Sequence, residues 1–313
     1  MDSGMPSLIC RLGPVELPNP VMAASGTAGY GTEDLPHLKA DRLGALVTKG
    51  LSLEPRQGNP PPRIVETPCG MLNAIGLENI GIEAFIRYHL PLLLQKGVRV
   101  VVNAFGETEE DYARLASRLD RQPGITALEL NVSCPNVKRG GRAFGRDPEA
   151  LNGLVRRVRC ETRLPLWVKL TPDGVDPVAS AQASWEGGCD GLTVANTYLG
   201  MAVDVERRRP RIGVGTGGLS GPAIKPMTLY RAWRVAKAAP VPVIASGGIV
   251  CAMDALEYLI AGARAVQVGS GAFSNPRIYE EVIQGIRDYL GRYGHRSVEE
   301  IIGTLEGMEE AVH

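Results

Sequence analysis

VPVIASGGIV, residues 241–250, and RAVQVGSGAF, residues 264–273, share one design: a short β-branched apolar run that ends in a turn of glycine and serine. A run of four or five such residues, with turn formers directly after it, reads as a strand buried on both faces. The same design recurs upstream. Strands are predicted at residues 20–24, 43–48, 98–102, 126–130, 166–170, 191–195, 243–245 and 265–268. Between them, apolar residues at helical spacing predict helices over 80–94, 107–119, 148–160, 176–186, 227–238, 252–261 and 276–289. Thr108 and Asp147 stand where helix N-caps belong, with Pro148 at a first helical position, and Gly187 and Gly262 follow apolar-periodic runs. Eight buried strands alternating with helices are best satisfied by a parallel sheet closed into a (β/α)8 barrel, which leaves no edge unpaired. An open doubly wound sheet is the competing reading. Against it, no GxGxxG follows the first strand and the glycine-rich turns come late.

Two connections exceed what a barrel needs. Residues 50–79 include Pro55, Pro60, Pro61, Pro62 and Pro68, which excludes a regular helix and predicts an ordered excursion over one barrel end. Residues 197–226 form a second, glycine-rich and basic. No repeat, low-complexity tract or linker interrupts the 313 residues, so one domain with extended loops is expected over 1–313.

Composition narrows the function. Lys plus Arg and Asp plus Glu both number 34, which removes the basic excess a nucleic-acid surface would need. Residues 1–12 lack the basic start and apolar core of a secretory signal, and no apolar run is long enough to cross a bilayer. Six cysteines, at 10, 69, 134, 160, 189 and 251, are too few for a disulfide framework and too dispersed for a metal or iron–sulfur clamp. A reducing, cytoplasmic setting and no bound metal are expected.

Barrel enzymes assemble their sites at the carboxyl ends of the strands. There the chain offers Ser25, Lys49, Asn103, Asn131, Ser133, Cys134, Asn136, Lys169, Asn196 and Thr197. The carboxamides suit a planar ligand edged with imide N–H and C=O groups. Lys169 ends an apolar strand, where a charge is costly unless something anionic or electron-rich meets it. It suits the carbonyl edge of a flavin, which gains negative charge on reduction. For Lys49 a surface role weighs more. Cys134, in the rigid NVSCPN segment, reads as a general base rather than an inert packed thiol. A Cys–His nucleophile is disfavoured because His37, His89, His295 and His313 lie outside the candidate loops. Gly247 and Gly248 follow the seventh strand, and Gly269 and Ser270 the eighth, the common place for a barrel phosphate cradle.

Four segments then carry a resemblance: VTKGLSLEPRQGNPPPR from Val47, ETPCGMLNAIGLEN from Glu66, ELNVSCPNVKRGGRAFG from Glu129 and TGGLSGPAIKP from Thr216. In them the chain resembles the family-1 dihydroorotate dehydrogenases, and among those the FMN-bearing catalytic subunits of the NAD-linked two-subunit type. The resemblance spans roughly residues 17–289. It implies oxidation of (S)-dihydroorotate to orotate, with Cys134 taking the C5 proton while the C6 hydride passes to FMN. It implies that Lys49, Asn73, Asn131, Asn136, Asn196 and Thr197, with the backbone of Ile75, Gly76 and Leu77, hold the substrate. Flavin contacts are implied at Ser25, Lys49, Asn103, Asn131, Lys169 and Gly221, and phosphate contacts at Gly247, Gly248, Gly269 and Ser270. It further implies a homodimer and a separate partner subunit carrying FAD and a [2Fe–2S] cluster, with no nucleic acid or membrane involved. Alternatives are a fumarate-using dihydroorotate oxidase, a related dihydropyrimidine oxidoreductase, a noncatalytic flavin electron-transfer protein and a flavin-free barrel acting on a phosphorylated substrate.

Overall fold

A computed structural model describes residues 4–33, 38–133 and 144–307. Eight parallel strands close into a barrel: β1 (Val21–Ala23), β2 (Ala45–Val47), β3 (Val100–Ala104), β4 (Ile125–Asn131), β5 (Leu166–Lys169), β6 (Gly191–Val194), β7 (Val243–Ser246) and β8 (Ala265–Val268). Each lies where the sequence predicts one. The ring closes where β8 pairs with β1, Val266 opposite Val21 and Gln267 opposite Met22. Two boundaries differ from expectation, because β3 runs on through Asn103 and Ala104 and β4 through Asn131. Polar side chains there weaken the apolar signal, while the ladder continues because its backbone groups still pair.

Outside the barrel stand α1 (Leu90–Gln95), α2 (Glu109–Asp120), α3 (Pro148–Arg159), α4 (Pro177–Glu186), α5 (Lys225–Ala238), α6 (Ala252–Ile260) and α7 (Ile278–Tyr293). Helix α2 begins in a reciprocal cap, Asp111 N donating to Thr108 Oγ1 and Thr108 N to Asp111 Oδ2. Asp147 caps α3 by accepting from Glu149 N and Ala150 N. That helix buries Leu151, Leu154, Val155 and Val158, an i, i+3, i+4, i+7 stripe worth about 2 kcal/mol per side chain. The helix expected as one piece over 80–94 is interrupted: Ile82–Ala84 leads into a π turn at Phe85–His89 before α1. Pro91, in the first turn of α1, has no N–H to donate, and the wider turn absorbs the lost bond. No helix among the described residues is long and apolar enough to cross a membrane.

The amino-terminal end of the barrel is covered by a hairpin that the sequence reading did not predict. Cys10–Leu12 pairs with Val15–Leu17, fully burying Cys10, Leu12 and Leu17. Its turn at Gly13 lies against Asp190, directly before β6.

At the opposite end the two long excursions form one antiparallel sheet, ordered Tyr198–Gly200, Gly217–Ser220, Gly70–Asn73 and Ile64–Thr67. It has its own small core of Val65, Leu72 and Ile212. Gly70 permits the closest approach in it, because a Cβ there would stand 2.0 Å from Ser220 O. Gly70→Ala is therefore expected to destabilise the protein by about 1–3 kcal/mol in urea unfolding, since backbone must move to admit the methyl group. Cys69→Ala, at the exposed neighbouring residue, should change stability by less than about 0.5 kcal/mol. Equal stabilities for the two variants would contradict the packing argument.

Candidate active site at the carboxyl end of the barrel

The barrel interior contains a fully buried carboxylate that the sequence reading did not single out. Glu129 of β4 is fully buried, and its Oε1 accepts from Asn103 Nδ2 on β3 at 2.8 Å. Its Oε2 accepts from Thr193 Oγ1 on β6 at 2.7 Å and from Gln267 Nε2 on β8 at 2.6 Å. The available signal was a lone acid between Leu128 and Leu130 in an otherwise apolar strand, where only hydrogen-bond donors would make its burial tolerable.

One layer further toward the mouth, Lys169 pairs in register with Asn131 on one side and Thr193 on the other, so all three face the interior. Lys169 is only 6% exposed, yet its ammonium has no hydrogen-bond or ion-pair partner among the described residues. Asn131 Oδ1 accepts from Asn196 Nδ2 at 3.2 Å and from Ser133 N at 3.3 Å, which joins the ends of β4 and β6. Tyr112 of α2 fixes the same strand end by donating its hydroxyl to Asn131 O at 2.7 Å. Asn196 Oδ1 accepts from Thr197 N at 2.8 Å, and Ser25 sits half-buried just after β1. Asn103 Oδ1 and Ser133 Oγ are buried without a partner among the described residues. Cys134 and Asn136 lie outside the described residues.

The first excursion supplies the roof. Lys49 Nζ stands 3.6 Å from Glu78 Oε1, and Arg63 also bonds that carboxylate. Arg63 first and Lys49 second hold the Glu78 carboxyl below its ordinary range, so two cations share one anion. Asn73 Nδ2 donates across the excursion sheet to Gly218 O at 3.2 Å. Between them, the carbonyls of Ile75 and Leu77 accept from Asn59 N and Asn79 Nδ2. The N–H groups of Ile75, Gly76 and Leu77 donate to nothing among the described residues, leaving three donors in a row.

The glycine turns after β7 and β8 offer a second set of free donors. The N–H groups of Gly247, Gly248, Gly269 and Ser270 have no acceptor among the described residues. Gly248 has φ +68, and a Cβ there would meet Lys225 Cβ at 2.7 Å. The turn is braced from behind: Tyr258 OH donates to Gly247 O at 2.7 Å, and Asp254 accepts from Val250 N, Cys251 N and Lys225 Nζ. Gly221 adjoins this turn, its carbonyl oxygen lying 3.0 Å from where a Gly248 Cβ would be. Arg207 in the second excursion is exposed and pairs with Asp204.

Fold and site together define a (β/α)8 barrel with a polar mouth, a buried lysine without a partner among the described residues and two glycine turns whose backbone N–H groups are free among those residues. The sequence profile of the dihydroorotate dehydrogenase family matches residues 8–290. Among curated proteins, the chain is 52% identical over 302 residues to one from Trichlorobacter lovleyi named "Dihydroorotate dehydrogenase B (NAD(+)), catalytic subunit", covering 96% of this chain and 99% of that protein. A protein of the same name from Pelobacter propionicus is 51% identical over 301 residues, again covering 96% and 99%. This chain belongs to the dihydroorotate dehydrogenase family, a family of oxidoreductases.

Proposed function

We propose that this chain, as a single FMN-binding barrel domain, oxidises (S)-dihydroorotate to orotate and passes the electrons through a partner subunit to NAD. The observation that carries the reading is Lys169, a buried cation without an anion among the described residues, at the carboxyl end of a barrel strand. A flavin fits the surrounding groups. Lys169 would stabilise the electron-rich edge of a bound flavin, Asn103 Oδ1, without a partner among the described residues, could accept a ring N–H, and the turns of Gly247, Gly248, Gly269 and Ser270 could bind a phosphate through backbone alone. Ser25, Asn131, Lys49 and Gly221 complete that set. FMN, when bound, supplies the hydride acceptor.

The chain's own work is to hold the ring and to move one proton. Asn73, Asn131, Asn136, Asn196 and Thr197 hold the pyrimidine rim, while Lys49 and the free N–H groups of Ile75, Gly76 and Leu77 suit a carboxylate. Cys134 takes the proton from C5, a role that rests on its place in NVSCPN and on the family resemblance. Holding the substrate still between base and hydride acceptor removes much of the entropic cost of the reaction.

The NAD link rests on the relatives' printed name, which also makes them the catalytic subunits of a larger assembly. A partner with FAD and a [2Fe–2S] cluster, a homodimer of this chain and a cytoplasmic setting belong to the same proposal. Cys10, Cys69, Cys160, Cys189 and Cys251 are all free thiols, which suits a reducing compartment.

Anaerobic stopped-flow absorbance of the FMN-loaded chain tests the reading. Rapid bleaching by (S)-dihydroorotate, with none by dihydrouracil, is the expected result. Bleaching by dihydrouracil instead would move the substrate to a ring without the carboxylate, and no bleaching by either would overturn the proposal.

A further inference from the structure

The barrel interior holds one carboxylate that no step of the proposed reaction uses. Glu129 is fully buried and accepts three hydrogen bonds, two of them from carboxamides. A carboxylate accepts and does not donate, whereas an amide can turn either end toward a neighbour. Glu129 therefore decides which way those amides point. Asn103 gives its NH2 end to Glu129 and leaves Oδ1 buried without a donor among the described residues. Gly50 stands in front of that oxygen, and a Cβ there would approach it to 3.1 Å, so the missing side chain spares the space.

We propose that Glu129 is a positioning residue which locks the Asn103 amide with its oxygen free, so that the site selects a flavin presenting an imide N–H at that point. This rests on the flavin reading above. A buried acceptor left unpaired is costly, and a ligand N–H relieves that cost, whereas a methylated nitrogen adds a clash and supplies no donor. In Glu129→Gln the new amide can keep its oxygen toward Thr193 and Gln267 only by turning its NH2 toward Asn103. Asn103 must then flip and present its own NH2 to the ligand. Glu129→Gln combined with Asn103→Asp reverses the change, because the aspartate accepts from Gln with one oxygen and offers the other where Oδ1 had been.

The test compares the binding of FMN and of N3-methyl FMN by fluorescence quenching, which needs no turnover. The wild-type chain should prefer FMN by roughly ten- to hundredfold, from the cost of an unpaired buried acceptor. Glu129→Gln should lose most of that preference, and the double variant should regain it. A role limited to holding the fold would weaken both ligands alike in Glu129→Gln and give no recovery. An undiminished preference in a folded Glu129→Gln variant would overturn the proposal. Should that variant not fold, the double variant decides alone: a retained preference supports the lock and a lost one overturns it. A wild-type chain that binds neither flavin would instead overturn the flavin reading itself.

Discussion

Cys134→Ala is expected to leave FMN bound while slowing its reduction by (S)-dihydroorotate about 10²- to 10⁴-fold, the range a positioned general base contributes. Three of the other thiols do not compete for this role. Burial pushes Cys10 and Cys189 up to about 12, so both stay protonated near neutrality and serve as packing. Cys251 is committed at the start of α6, where its Sγ donates to Asp254 Oδ2 at 3.4 Å. Cys134 instead follows Ser133, whose N–H bonds the Asn131 side chain at the mouth of the barrel. A base works in its deprotonated form, so wild-type reduction should speed up as pH rises and the thiolate forms. In Cys134→Ala that rising limb should vanish, and in Cys134→Ser it should move to higher pH, because a hydroxyl loses its proton less readily. Anaerobic stopped-flow at a series of pH values reads all three enzymes. Reduction of the Ala variant at the wild-type rate would remove Cys134 from the proton transfer.

The barrel was legible in the sequence because each strand is buried on both faces. A run such as Val243–Ser246 needs no partner in view to be recognised, and the glycines after it mark where it stops. What escaped depends on residues far apart in the chain. The prolines of 50–79 exclude helix, but nothing local says that Gly70–Asn73 will pair with Gly217–Ser220, about 145 residues later. The Cys10–Leu12 hairpin has strands of three residues, too short for alternation to register. Site residues followed the same division. Lys169 and Asn131 were legible as polar residues closing apolar strands, whereas Glu129 sits in mid-strand, and its significance comes from donors on three other strands.

Lys169→Met should slow flavin reduction about 10²- to 10³-fold, the cost of removing one donor aimed at developing negative charge. Its effect on the free protein should differ from that of most buried substitutions. Lys169 is 6% exposed as a residue and its ammonium has no partner among the described residues, and methionine fills nearly the same volume without the charge. The apo protein is therefore expected to melt no lower than wild type. The difference should appear on adding FMN. A ligand that binds only the folded state raises the melting temperature in proportion to the logarithm of its concentration over Kd. The wild-type chain should thus be stabilised more strongly than Lys169→Met at equal FMN. Lys169→Arg should not restore the rate, because a planar fork cannot take the place of a compact ammonium in a layer bounded by Asn131 and Thr193. Thermal melts with and without FMN, together with anaerobic reduction rates, separate the two effects. A Met variant that melts well below wild type without FMN, yet is reduced at the normal rate, would place Lys169 in the scaffold and leave the flavin's charge to another group.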